Sequence, residues 1–440
     1  MNVESQLSPE EAEIGRRALL KGWSTGVEPE LVMVRAEGAS IWDADGNEYI
    51  DCTSQAWSNN IGASDPRVVE AASRQAADLT HLRSNYDSVP LLRLAKRLTE
   101  LAPEGMNRVS FCLHGSLAIE SAMKIALKNT PDAGPFITLR DGYHGRSFAT
   151  MGASWAHSGR SFDRLYPQVV RVPQPYSYRY ARSGESPGDV AERCIDELRD
   201  TIRRGVTGRP AAFIMEPVQG NGTQLDFPRA YYSGVREVCD EEGVLLIWDE
   251  IQTGFGRTGS FWASEHYGVV PDVLVFGKGI GGGFPLAGVL VRDGLEGFDP
   301  GDDALTFGQF PPSLAASLAA IQVLEDDDLL EHCRRMGEHA TARLLEMQTR
   351  HPLIGDVRCP GLLIGVELVL DRDTKEPAVE AASEVYRRGI EAGVLFGTTR
   401  YAGLGNVVKI KPPLCITVEQ LDTALDTFDR ILTELEGERS

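Results

Sequence analysis

Three short apolar runs, each followed within two residues by a charged side chain, constrain the fold of this chain most strongly. They cover residues 211–215, 244–248 and 273–276, and helical patterns separate them between about residues 66 and 310. Unbroken apolar runs of this length are typical of strands buried on both faces. Their alternation with helices predicts a mainly parallel sheet in an α/β fold. A sheet of this kind binds ligands at the carboxyl ends of its strands.

The charged residues that follow the runs are Glu216, Asp249 with Glu250, and Lys278 between two glycines. A lysine that forms a Schiff base, together with an aspartate held against a pyridinium nitrogen, is what a protein contributes to pyridoxal phosphate chemistry. The pattern therefore favours that cofactor. Considered alone, Lys278 would more often be a solvated surface lysine, and Asp249 could equally be a turn residue or a helix cap.

The two ends of the chain indicate a second, smaller α+β domain. Asp45-Gly46 lies between two strand-like runs, which is typical of a hairpin. Residues 8–11 and 417–420 have capping-box patterns, and the second precedes an amphipathic final helix. We expect an N-terminal segment of the small domain over residues 1–65, a large α/β domain over 66–315, and the C-terminal small domain over 316–440.

Charge and cysteine content exclude several classes of partner. The chain has 44 basic and 64 acidic residues, and this formal charge of -20 would repel nucleic acid and anionic lipid. It has no apolar run of about 18 residues, and its acidic beginning does not resemble a secretion signal. The seven cysteines are scattered and indicate neither a disulfide framework nor a metal site. We expect a cytoplasmic protein without a metal.

Longer motifs resemble the class III aminotransferases, which are pyridoxal phosphate enzymes of fold type I. WDEIQTGFGRTG at 248–259 and PDVLVFGKG at 271–279 are similar to the family signature. Gly115-Ser116, DGYHGRS at 141–147 and EPVQG at 216–220 resemble its phosphate-binding turn, its ring-stacking loop and the next strand end, in the family's order. The resemblance covers about residues 30–435. It implies a mainly parallel, seven-stranded mixed sheet flanked by helices, and a small domain built from both chain ends.

The resemblance assigns a role to each matching residue. Lys278 would hold the cofactor as a Schiff base and move a proton between substrate and cofactor. Asp249 would pair with the pyridine nitrogen, and Gln252 would bond the 3′ hydroxyl. Ile251 and Tyr143 would pack on the two faces of the ring. Two further residues of the cluster are Glu216, which would support it, and His144, which is more often a hydrogen-bonded loop residue than an acid or base.

Gly115 and Ser116 would bind the cofactor phosphate at a helix N-terminus, where backbone donors and the helix dipole favour an anion. In the family, a threonine of the partner subunit completes this site, and Thr306 matches it. The resemblance therefore implies a homodimer. The loop after Thr306 departs from the family pattern, since residues 307–312 read FGQFPP.

The substrate side also departs from the family pattern. Lys409 and Asn221 stand where many members have an arginine that clamps a carboxylate and a glutamate that masks it. Lysine lacks the guanidinium fork. Either another arginine, such as Arg400 or Arg83, binds the substrate carboxylate, or Lys409 faces solvent and the carboxylate is bound differently.

Gln55, Trp57 and Tyr86 are candidate specificity residues, although Trp57 could equally be a core residue. These departures favour a terminal amine with a neutral, hydroxylated or cationic remainder as the main substrate.

These expectations define an aminotransferase that moves an amino group from an amine donor to a keto or aldehyde acceptor. The donor would be an amino acid, an ω-amine, a diamine or an amino sugar. A racemase or epimerase, a decarboxylase or a lyase with the same cofactor is the alternative, because the motifs do not separate these reactions. A second alternative is a non-catalytic relative, which loss of Lys278 or Asp249 would have indicated. The GxGxxG pattern at 254–259 does not follow the first strand of a βαβ unit, so nicotinamide binding is disfavoured.

Overall fold

The computed structural model describes residues 7–20, 31–155, 160–397 and 404–439. Its main feature is a seven-stranded sheet in the order β4-β12-β11-β10-β7-β5-β6. The strands of the chain are β1 Met33–Glu37, β2 Ser40–Asp43, β3 Glu48–Asp51, β4 Arg108–Cys112, β5 Phe136–Leu139, β6 Val169–Val172, β7 Ala212–Met215, β8 Val218–Gln219, β9 Leu225–Asp226, β10 Leu245–Asp249, β11 Val273–Phe276, β12 Ala287–Val291, β13 Ile354–Arg358, β14 Ile364–Asp371, β15 Glu376–Pro377, β16 Val394–Leu395 and β17 Val407–Ile410.

The helices separate and flank these strands. They are α1 Pro9–Ala18, α2 Ser54–Trp57, α3 Pro66–Asp78, α4 Val89–Leu101, α5 Gly115–Asn129, α6 Phe148–Ala153, α7 Ser177–Tyr180, α8 Pro187–Asp200, α9 Arg229–Glu242, α10 Ala263–Tyr267, α11 Pro311–Asp326, α12 Leu329–Arg350, α13 Val379–Glu391 and α14 Val418–Arg439. Within the described ranges, none of them combines the length and the apolar character that crossing a membrane requires.

The seven-stranded sheet is parallel except for β12, which pairs antiparallel with both β11 and β4. The three apolar runs form β7, β10 and β11, whose residues are buried except Leu245 at the start of β10. These strands confirm the predicted α/β fold. Because six strands point the same way, their carboxyl ends meet at one edge, where a ligand binds in such folds.

The side chains of β7 alternate between two apolar clusters, one on each face of the sheet. Phe213 and Met215 pack in one cluster with residues of α8 and α9, whereas Ile214 packs in another with residues of α5. Side chains of a strand alternate between faces, so both faces need apolar residues when helices cover each of them. The helix-covered sheet therefore buries its core on both sides.

The two chain ends meet in a second sheet, of order β1-β2-β3-β16. The predicted hairpin is present as the antiparallel pair β2 and β3, and the Asp43 carboxylate accepts the backbone N–H groups of Asp45 and Asn47. β16 pairs parallel with β3 and so joins the N-terminal segment to the C-terminal one. The predicted boundary at 315/316 falls inside α11, and the division into domains stays a prediction.

Both predicted capping boxes are present. Ser8 and Glu11 exchange side-chain to backbone hydrogen bonds at the start of α1, which ends at Ala18. Thr417 and Gln420 do the same at the start of α14, at 3.2 Å in each direction. This exchange satisfies backbone donors that a helix N-terminus otherwise leaves free.

Candidate active site

The carboxyl edge of the main sheet opens into a cavity of about 450 Å³. Most of the predicted cofactor residues line it, because each lies at the carboxyl end of a parallel strand or within a few residues after it. They are Gly115, Ser116, Tyr143, His144, Glu216, Asp249, Ile251, Gln252 and Lys278. The structure thus brings nine separately chosen residues to one place, while their individual roles remain predictions.

The N-terminus of α5 forms one wall of the cavity. His114 precedes the helix in an extended conformation, and no side-chain cap bonds the first turn there among the described residues. The N–H groups of such a turn are available to an anion. The Ser116 hydroxyl accepts the Arg146 N–H at 3.0 Å, which ties the 141–147 loop to the helix.

Glycines at two positions allow this close packing. Gly145 has φ +134°, and a Cβ there would lie 2.3 Å from Ser116 Oγ. A Cβ on Gly115 would lie 2.6 Å from Ile251 Cδ1. Any larger residue at these two positions would push the loop and the β10 end away from the helix.

A histidine–aspartate pair lies buried at the end of β10. His144 Nδ1 is 2.8 Å from Asp249 Oδ2, and both side chains are nearly inaccessible to solvent. An ionised carboxylate only accepts hydrogen bonds, so Nδ1 carries the proton in this pair. The other carboxylate oxygen accepts the Ile251 N–H at 3.1 Å. His144 Nε2 has no partner among the described residues. The two hydrogen bonds hold the Asp249 carboxylate in one orientation beside the cavity.

Glu216 connects two loops of the site. It accepts the Tyr143 N–H at 2.8 Å and the Gly220 N–H at 3.0 Å. Burial raises the pKa of its carboxyl group, and Asp249 adds to the rise while His144 opposes it. The two backbone donors offset part of the cost of burying this group.

Lys278 begins a 3-10 turn, Lys278–Gly281, after β11 and has φ +48°. A side chain other than glycine in this left-handed region costs of order 1–3 kcal/mol, and such strain concentrates at functional sites. Burial lowers the pKa of its ammonium group, although Asp249 and Glu216 oppose this. A lower pKa makes the neutral, nucleophilic amine more abundant at neutral pH.

Tyr143 belongs to an aromatic stack that sequence reasoning missed. Its ring lies 5.4 Å from that of Trp155 at an angle of 28°, and the Arg146 guanidinium lies over both rings, at 5.0 and 4.3 Å. The stack holds the Tyr143 ring in a fixed plane beside the cavity. Trp155 lies eight residues beyond the DGYHGRS motif, and no motif marks it.

Two buried lysines lie next to the cavity. Lys409 donates from Nζ to the carbonyl oxygen of Asn221 at 2.5 Å, and it is only 1% exposed. The alternative that Lys409 faces solvent is therefore wrong, since β17 is covered on both sides. Burial, with a contribution from Lys278, lowers the pKa of Lys409 to about 7, and Glu216 opposes this.

Lys411, which sequence reasoning missed, is fully buried and donates to Gln252 Oε1. Its Nζ lies 4.6 Å, and that of Lys409 5.3 Å, from the Trp57 ring centroid. The signal in the sequence was Val-Val-Lys-Ile-Lys, in which two lysines follow an apolar strand pattern two residues apart and so face the same side.

The other predicted substrate residues that the structure describes lie outside the cavity lining. Trp57 is half-buried and ends α2, which is a single left-handed turn because residues 54–57 all have positive φ. Gln55 is half-buried and accepts an Asn59 amide hydrogen bond at 2.8 Å. Arg83 and Tyr86 are exposed, and so is Thr306, the residue predicted to complete the phosphate site. Arg400 lies outside the described residues.

The residues around the cavity fit pyridoxal phosphate. The uncapped start of α5 with the Ser116 hydroxyl suits a phosphate. The buried Asp249 carboxylate suits a protonated pyridine nitrogen, and the Lys278 amine suits an aldehyde carbon. Gly115 and Ile251 pack so closely that no space remains between them, and the cofactor would therefore occupy the cavity itself.

Comparison with known proteins agrees with this fit. The family model "Aminotransferase class-III" matches residues 24–432. The chain is similar to an acetylornithine aminotransferase of Methanothermobacter thermautotrophicus, with 35% identity over 97% of this chain and 100% of the relative. It is equally similar to a leucine/methionine racemase of Thermococcus litoralis, with 35% identity over 93% and 92%.

Among solved structures, the omega transaminase from Pseudomonas jessenii in complex with PMP matches with a TM-score of 0.89 and 29% identity. The match covers 96% of this chain and 97% of that one. Sequence, fold and site thus point to one family. The chain belongs to the class III aminotransferases, pyridoxal-phosphate-dependent transferases of fold type I.

Proposed function

We propose that this enzyme transfers an amino group from an amine donor to a keto or aldehyde acceptor, with Lys278 as the residue that holds the cofactor and moves the proton. The observation that carries the proposal is the strained, partly buried Lys278 on the same cavity as the His144–Asp249 pair. When bound, pyridoxal phosphate supplies an electron sink for negative charge that develops on the substrate carbon.

The residues around the cavity would each have a separate role in this reaction. The first turn of α5 and Ser116 would bind phosphate and so fix the position of the ring. Asp249, oriented by His144, would hold the pyridine nitrogen in its protonated form. Lys278, with its lowered pKa, would accept the proton from the substrate carbon and deliver it to the cofactor.

Local charge around the site argues for a donor that carries a carboxylate. Lys409, Lys411 and Arg257 are buried near one another, and each of the two lysines has its pKa lowered partly by a neighbouring cation. An anionic substrate group beside them would reduce this repulsion, whereas a cationic group would add to it. The negative net charge of the whole chain acts at longer range and is screened by salt. The expected preference for a cationic remainder is therefore disfavoured, and an amino acid is the donor class that we propose.

Racemisation is the second candidate, because the chain is as similar to a leucine/methionine racemase as to an acetylornithine aminotransferase. The two reactions share the cofactor-binding roles given above. They differ in where Lys278 returns the proton, and therefore in the fate of the amino group. The purified enzyme with pyridoxal phosphate should convert an L-amino acid and a keto acid into a new keto acid and a new amino acid. Appearance of the D-amino acid without keto product would instead support racemisation.

We further propose a homodimer in which Thr306 completes the phosphate site of the partner subunit. Thr306 is exposed, and the exposed side chains of Phe307, Tyr86 and Leu92 are available for burial against a second copy. Sedimentation at micromolar concentration tests this, and a monomer that retains full activity would contradict it. A cytoplasmic location is supported by seven free cysteines, five of them buried.

A further inference from the structure

Lys411 is a fully buried lysine to which the proposed mechanism gives no role. Its Nζ donates to Gln252 Oε1 and to the Gly220 carbonyl oxygen at 3.3 Å. Burial, together with Lys409, Lys278 and Arg257, lowers its pKa well below the ordinary value. Burying an amine beside other cations is costly, so a hydrophobic residue would be more stable here. Stability therefore does not explain why a lysine occupies position 411.

The contact with Lys411 determines which way the Gln252 amide points. Lys411 Nζ donates to the Gln252 oxygen, and a neutral or a protonated amine can make this bond because both forms carry N–H donors. With its oxygen bonded to Lys411, the amide turns its NH2 group away from Lys411. Gln252 also lines the cavity.

Gly220 packs tightly against the same amide. A Cβ on Gly220 would lie 2.4 to 2.6 Å from the three atoms of the Gln252 amide group, which is closer than real Cβ contacts. The Gly220 N–H is bonded to Glu216, so this backbone cannot easily retreat. The Gln252 amide thus packs tightly against the Gly220 backbone and is bonded to the Lys411 amine, which also donates to the Gly220 carbonyl oxygen.

We propose that Lys411 is a positioning residue that orients the Gln252 amide so that it offers an N–H donor, and not an oxygen, to the 3′ oxygen of bound pyridoxal phosphate. This inference rests on the proposed function. A hydrogen bond donated to that oxygen stabilises its anionic form. Without Lys411 the amide can turn over and place oxygen against oxygen, which removes the stabilisation.

The visible absorption of the bound cofactor reports this hydrogen bond, because it changes with the protonation state of the Schiff-base nitrogen next to the 3′ oxygen. Lys411→Met keeps a flexible, unbranched side chain of similar size and removes its donors. We expect the pH midpoint of the visible absorption to rise by about 0.7 to 1 pH unit, the equivalent of one hydrogen bond of about 1 to 1.4 kcal/mol. The other titratable or charged groups near the site are Lys278, Asp249, Glu216, His144, Tyr143, Lys409 and Arg257.

A double-mutant cycle separates positioning from a simple effect of charge. The midpoint is measured for the holoenzyme, Lys411→Met, Gln252→Ala and the double variant. If Lys411 acts through Gln252, Lys411→Met should cause no further shift in the Gln252→Ala background. An equal shift in both backgrounds would overturn the proposal, and so would the absence of any shift. Lys409→Met removes a neighbouring buried lysine that does not contact Gln252, and it measures the charge effect alone.

Gly220→Ala disturbs the same amide without altering any charge, and it keeps the test possible if Lys411→Met does not fold. We expect an upward shift of the same size, because the added Cβ displaces the amide. An unchanged midpoint in Gly220→Ala would count against the proposal. A wild-type enzyme without visible absorption after incubation with pyridoxal phosphate would refute the proposed function itself. A coloured enzyme without coupling between residues 252 and 411 would refute only this inference.

Discussion

Gly145→Ala tests whether the start of α5 and the 141–147 loop form the phosphate site. The new Cβ would lie 2.3 Å from Ser116 Oγ and 2.6 Å from Thr150 Oγ1, about 1 Å short of ordinary contact. Since the loop is tied to Ser116 by the Arg146 N–H, relief of this clash must move the serine hydroxyl or the loop. Either movement displaces donors that the phosphate requires.

The expected loss can be estimated from the bonds involved. A hydrogen bond to a charged group contributes about 1.5–3 kcal/mol. Loss of one such bond should raise the dissociation constant for pyridoxal phosphate about 10- to 150-fold. We would measure this constant by titrating the apoenzyme and following cofactor absorbance, and we would check the fold by circular dichroism.

Gly184→Ala is the matched control. Gly184 also has a positive φ, +85°, but nothing lies within 4 Å of its added Cβ. The control therefore carries the backbone strain of the substitution without the clash. Wild-type affinity in Gly145→Ala, or an equal loss in both variants, would refute the assignment of the phosphate site.

Three further predictions address the remaining groups. Lys278→Ala should abolish both the visible colour of the holoenzyme and turnover, as followed by absorbance and keto-product formation, and retained turnover would contradict the role of Lys278. His144→Gln should lower kcat/KM about 10-fold or more, because Asp249 loses the partner at 2.8 Å, whereas an unchanged value would show that the pair has no catalytic importance. Lys409→Met should raise the urea midpoint. Its folded pKa of about 7 lies below the ordinary 10.5, so between these values the unfolded chain binds the extra proton and wild-type stability increases with pH. The gain from the variant should therefore be largest near pH 7 and decrease towards pH 10, by up to about 1.4 kcal/mol per pH unit, and a gain that is independent of pH would contradict burial of the charge.

The strand-end residues could be predicted from the sequence because their position follows from local pattern. An apolar run specifies a buried strand, and parallel strands bring their carboxyl ends to one edge, so Glu216, Asp249 and Lys278 had to meet. The family resemblance then added Gly115, Ser116 and Gln252, which local pattern alone does not connect to them.

Other parts of the site depend on contacts between distant segments. Lys411 lies 159 positions from Gln252, and nothing in either local sequence indicates that they meet. Lys409 shows the same limit, since a lysine is usually exposed and only the covering of β17 explains its burial. Tyr86 and Thr306 are exposed in the single chain, and the homodimer that we propose would bury them against the second subunit.

The parallel pairing of β16 with β3 has a consequence for biosynthesis. Residue 50 finds its partner only after residue 394 has been made, so the early strand waits for nearly the whole polypeptide. At about 5–20 residues per second, a ribosome needs roughly 20–70 s for the interval. The left-handed turn that carries Trp57 follows β3 within a few residues. The contacts of the Trp57 ring with Lys409 and Lys411 therefore form only when translation is almost finished.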